Sequence, residues 1–200
     1  MSPFELVFAV YGLLLGLAIA EVLGGFARAL KLKRGTRPIR IGWLTPLLGI
    51  VAMLDLTSFW LLAYEARAQI SANYLTLICV LAMVGIYYMA ASLIFPDEPE
   101  EWPDFNDWYD KQNRMVIGGL LTANIASWIG LGIIESITPT PEVPGFVSSA
   151  LATWIYFISG FSVLGLLIAL LKVDGRRKNV AMLATLIVLL IASGISEPYV

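Results

Sequence analysis

Residues 41–64 read IGWLTPLLGIVAMLDLTSFWLLAY. This stretch decides the fold class. A helix needs about 20 predominantly apolar residues to cross the hydrocarbon of a bilayer, and this run meets that length. Its one charged residue, Asp55, falls near the middle. Five further apolar segments share the character: 6–27, 74–95, 115–134, 146–171 and 180–196. Glu21 interrupts the first, and the other four contain no charge. The last is short and the fifth is long, so tilt or local thinning of the bilayer is expected.

Composition agrees. Hydrophobic residues make up 58% of the 200 and charged residues 14%, against roughly 25% charged in ordinary soluble domains. That is too little polar surface to cover a water-soluble core. The charges fall in clusters between the apolar runs, the pattern of helices crossing lipid. The expected fold is all-α, an integral membrane protein of six transmembrane helices forming a single domain over 1–200. Ala27-Arg28-Ala29 has the small-x-small form of a cleavage site. The preceding stretch lacks a positive leader and is too long for a signal peptide, so it reads as a retained helix.

The basic residues set an expected orientation. Arg28, Lys31, Lys33, Arg34, Arg37 and Arg40 occupy the first loop, Lys111 and Arg114 the third, and Lys172, Arg176, Arg177 and Lys178 the fifth. Twelve of the thirteen basic residues thus fall on one side, with Arg67 alone on the other. The odd-numbered loops are expected to be cytoplasmic and both termini outside. The short loops and small size suit a bacterial inner membrane. Residues 138–145, TPTPEVPG, read as an extended outer spacer. In the third loop, Asp104 is placed to cap a helix with Asp107 three residues on. Asp107–Lys111 and Asp110–Arg114 are in i, i+4 register. Trp102, Phe105, Trp108 and Tyr109 suit the headgroup level. A short interfacial helix leading into the fourth span is expected. The acids of this loop, Asp97 to Asp110, read as a solvated surface.

Several function classes lose support. The chain has no histidine and a single cysteine, Cys79, inside an apolar run. Ser–His catalysis, an intramolecular disulfide and a cysteine metal motif are ruled out. Neither a glycine-rich phosphate loop nor a G-x-S-x-G elbow occurs. No enzyme activity, cofactor or metal site is expected. No basic helix face carries interleaved aromatics, so nucleic acid is not expected as a partner.

Asp55 is the sharpest feature. It sits roughly 4 Å from the midplane at 1.5 Å rise per residue. A charged Asp there costs on the order of 3 kcal/mol, and no Lys or Arg lies within the six spans to pair with it. Three solutions exist: it is protonated, it accepts hydrogen bonds from Ser58 and other helices, or it holds a cation. Counting depth from the span ends puts Tyr87, Tyr88, Asn124, Tyr156 and Ser159 near the same level. Glu21, in the cytoplasmic half of helix one with Arg28 two turns on, is either a relay or a structural ion pair. Span-end acids Glu5, Glu65, Glu135 and Glu197 read as wet anchors without a role. Gly12, Gly16, Ala20 and Gly24 recur every four residues and form a candidate helix-packing stripe. Three helices followed by three of opposite direction would permit an inverted repeat, although the halves show no convincing self-similarity.

Acids and hydroxyls without fixed positive charge suit a cation and repel an anion. The expected function is therefore a small transporter or channel passing a small cation or proton through a site centred on Asp55. The alternative is a non-transporting scaffold, accessory subunit or sensor acting through helix contacts. The expected partners are the lipid bilayer and a small cation or proton, and a thin six-helix bundle also suits a homo-oligomer.

Overall fold

The computed structural model describes residues 3–34, 39–70, 73–139 and 149–199. Arg37, most of the proline-rich spacer and the first residues of the fifth apolar segment lie outside that set. Six α-helices follow one another: α1 (Pro3–Lys33), α2 (Leu44–Glu65), α3 (Tyr74–Ser92), α4 (Phe105–Ile137), α5 (Ala150–Lys172) and α6 (Arg176–Ser196). Each is long and apolar enough to cross a membrane. Among the described residues there is no strand, only an isolated bridge between Arg40 and Asp104.

Local chemistry sets the helix starts. Asn73 caps α3 by accepting from Thr76 N at 2.9 Å, and Ser149 caps α5 by accepting from Ala152 N. Each cap satisfies one of the four amides that a helix start leaves free. Asp104 does the same for α4, accepting from Asn106 N at 2.8 Å. That helix then runs unbroken to Ile137. The expected short interfacial helix is thus the first turns of the fourth spanning helix. Phe105 and Tyr109 are buried in the core and do not flank the bundle. The expected i, i+4 pairs also give way to longer-range ones. Arg176 at the start of α6 bonds both Asp107 and Asp110, and Arg114 meets Asp174 at 3.2 Å. A guanidinium presents several N–H donors in a planar fork. Asp107 and Asp110 lie on one face of α4, within reach of that fork.

α2 begins at Leu44 after a turn in which Gly42 takes a positive φ of 65°, and the residues before that turn are held beside the third loop. Arg40 N donates to Pro103 O at 2.8 Å, and Phe105 N donates to Arg40 O at 2.9 Å. Thr45 adds a buried bond from Oγ1 to Phe105 O at 3.0 Å. At the opposite end Gln69 Nε2 donates to Thr138 O, and Ser149 N donates to Tyr199 O at 2.9 Å.

Around the bundle the helices neighbour one another in the order α1, α3, α4, α5, α6, α2 and back to α1. α2 also packs against α4, so it is the most enclosed helix. Leu44, Leu48, Val51, Ala52 and Leu56 of α2 are all but fully buried. The outward surface is apolar as well: Leu13, Leu75, Trp154 and Val188 are each about two-thirds exposed. Such a surface is costly in water and ordinary in lipid. α1 meets its neighbours through Tyr11, Leu15, Ala18 and Val22, with Gly25 seating the ring of Phe95. A Cβ at Gly25 would stand 2.2 Å from Phe95 Cδ2.

Candidate functional site

Asp55 projects from the enclosed helix towards α3 and α4 and is 4% exposed. Tyr87 of α3 donates its hydroxyl to Asp55 Oδ2 at 3.0 Å. Asn124 of α4 turns its amide nitrogen on both carboxyl oxygens, at 3.0 Å each. The same nitrogen donates to Leu120 O at 2.9 Å. Phe59 packs against Tyr87 with ring centroids 4.9 Å apart, which fixes the phenol over the acid. Tyr11 in turn donates to Phe59 O at 2.6 Å. Three helices therefore converge on one carboxyl through two neutral donors.

A cavity of about 420 Å³ reaches this group. Its deep end is formed by Asp55, Tyr87 and Asn124, its walls by residues of α2, α4, α5 and α6, and its other limit by Glu197. Following α2 from Asp55 through Ser58 and Leu62, and α6 from Leu190 through Ser193, leads away from the basic loops. In the other direction Leu48, Ala52, Ile117, Leu120 and Leu183 pack with almost no exposure. The cavity stops at Asp55 on that side and extends along the helices as far as Glu197. No Lys or Arg is among its lining residues.

The residues named from sequence separate into groups. Asp55, Tyr87 and Asn124 meet. Ser58 lines the cavity, but its hydroxyl donates to Leu54 O at 3.2 Å within its own helix. Tyr156 also lines the cavity, on the side of Glu65 and Glu197. Ser159 is buried away from the lining. Tyr88 is 43% exposed on the outer face of α3. Glu21 pairs with Arg28 at 3.2 Å, apart from the cavity. Of the small-residue stripe, a Cβ on Gly12 would touch Trp60, one on Gly24 would meet only Arg28 of its own helix, and one on Gly16 would meet open space. Ala20 is exposed.

Two acids assigned no role from sequence come together. Glu65 at the end of α2 and Glu197 just beyond α6 lie within interaction distance of one another. A signal existed for part of this wall: Ser193 and Glu197 are four residues apart, on one face of α6. Ser127 and Trp128, which also line the cavity, immediately follow Asn124 in the polar stretch of α4.

Fold and site together define a helical membrane protein with an interior acid at one end of a cavity. Comparison with protein-family models, with curated proteins and with solved structures finds no match.

Proposed function

We propose that this chain is a membrane transporter that passes a small cation or proton through the site centred on Asp55. The observation that carries the reading is the cavity that runs from Glu197 to Asp55 and stops there. Transporters that work by alternating access hold a site near mid-membrane and open it to one side at a time. A buried acid with no basic partner is the group that such a protein would use to take up positive charge. Glu65, Glu197 and Tyr156 would form the entrance, and Asp55, Tyr87 and Asn124 the binding end. With the basic loops cytoplasmic, the entrance faces outward, both termini lie outside, and the protein resides in a bacterial inner membrane.

The second reading is a non-transporting scaffold or sensor. The bonds of Asp55 to α3 and α4 support it, because polar groups in mid-membrane also serve to tie helices together. Flux separates the two. Purified chain in proteoliposomes is given proton, sodium and potassium gradients in turn, beside Asp55→Asn. The transport reading expects a cation flux that the substitution abolishes while the helical content is kept. A native chain that moves no cation leaves the scaffold reading.

A further inference from the structure

We propose that the cation this cavity accepts is organic: an ammonium group directed at Asp55, carried on an apolar body that lies along the aromatic wall. The inference rests on the reading of Asp55 as a cation site and names the class of cation.

The polar groups of the site point the wrong way for a bare metal ion. A bare metal ion needs several oxygens turned towards it. Here the Asn124 amide nitrogen and the Tyr87 hydroxyl proton point at Asp55 and occupy its oxygens as donors. Among the described residues no group of three or more Asp, Glu, Cys or His side chains could hold a metal ion. A volume of about 420 Å³ is far more than a bare ion fills and falls within the range of small-molecule pockets, roughly 300–1,000 Å³.

Six of the eighteen lining residues are aromatic, where the whole chain has 12%. Trp128 and Phe161 meet edge to face at 5.1 Å. Trp128 lies against Gly160, where a Cβ would stand 3.2 Å from the indole. Gly160 thus lets the indole rest on the α5 backbone and widens the space beside it. Aromatic faces attract cations through their quadrupole, most strongly for Trp and best for weakly hydrated ammonium groups. An acid at the bottom, aromatics along the side and no fixed positive charge favour a charged head with an apolar body. From Asp55 to Glu65 α2 rises about 15 Å, which gives such a body room between the acid and the entrance.

The test is equilibrium dialysis of the purified full chain in detergent with benzyltrimethylammonium, alongside neopentylbenzene, its neutral isostere. The ammonium is expected to bind saturably and the isostere not. Trp128→Leu keeps the apolar bulk and removes the π face, and is expected to weaken binding about fivefold. Trp128→Phe is expected to retain most of it. Asp55→Asn should weaken binding about tenfold or more, and Asp55→Glu should preserve it, which guards against a variant that fails to fold. Equal binding of the isostere, no saturable binding, or indifference to Trp128→Leu would overturn the proposal. Metal-ion or proton flux through Asp55 without ammonium binding removes the organic ligand and leaves the transport reading standing. Ammonium binding without any flux keeps the ligand class and removes transport.

Discussion

Both carboxyl oxygens of Asp55 accept a hydrogen bond, and the two donors come from different helices. Hydrogen bonds between membrane helices average about 0.6 kcal/mol and reach about 1.7. An acidic acceptor puts the Tyr87 bond in the upper part of that range. Tyr87→Phe keeps the ring against Phe59 and should lower resistance to denaturation in detergent by about 1 kcal/mol. In an Asp55→Leu background the same change should cost nothing. A cost that persists there would mean that the hydroxyl matters for some other contact. At this scale the sequence named the three residues that meet, because depth in a bilayer follows from counting residues along a span. It also named Tyr88, because depth does not fix the direction around the helix. Neighbouring residues point about 100° apart, and that angle separates buried Tyr87 from exposed Tyr88.

The same angular argument operates along α1. A repeat of four residues drifts about 40° around a 3.6-residue helix at each step. Gly12, Gly16, Ala20 and Gly24 therefore wind off any single face, however regular they look in sequence. The buried residues Tyr11, Leu15, Ala18, Val22, Gly25 and Ala29 alternate steps of four and three and stay on one side. The informative glycine is Gly25, where Phe95 fills the space that a side chain would need. Gly25→Ala should destabilise by about 1–3 kcal/mol through overpacking, and Phe95→Leu in the same chain should recover part of it. Gly16→Ala, on an open face, should change stability by no more than about 0.5 kcal/mol. Detergent denaturation of the three variants measures this, and equal losses at 16 and 25 would show that the packed face has been misidentified. The helices themselves were legible because a span declares itself by length and hydropathy. The helix capped by Asp104 was legible as well, but the grip of Arg176 on Asp107 and Asp110 was not, since it depends on which helix lies across the loop.

Over the whole molecule the packing shows why no internal repeat could be read. α1 packs along α3 without a comparable α4–α6 interface, and α5 packs along α6 whereas α2 barely touches α3. The halves are built differently, and the cavity belongs mostly to the second half plus α2. Its entrance was illegible for a related reason: Glu65 and Glu197 are far apart in sequence, and nothing in either span predicts that their ends meet. Orientation and access can be tested together. With Cys79→Ser as background, Ser193→Cys puts a thiol on the cavity wall, and Lys172→Cys puts one at the basic end of α5. In right-side-out vesicles, a membrane-impermeant cationic methanethiosulfonate should modify position 193, and position 172 should react only after permeabilisation. The anionic sulfonate reagent should be about tenfold slower at 193, because acids line the way in. Reaction of 172 from outside, with 193 protected, would invert the proposed orientation and leave the cavity intact. A thiol at 193 that no reagent reaches from either side would close the cavity, and with it the access that transport through Asp55 requires.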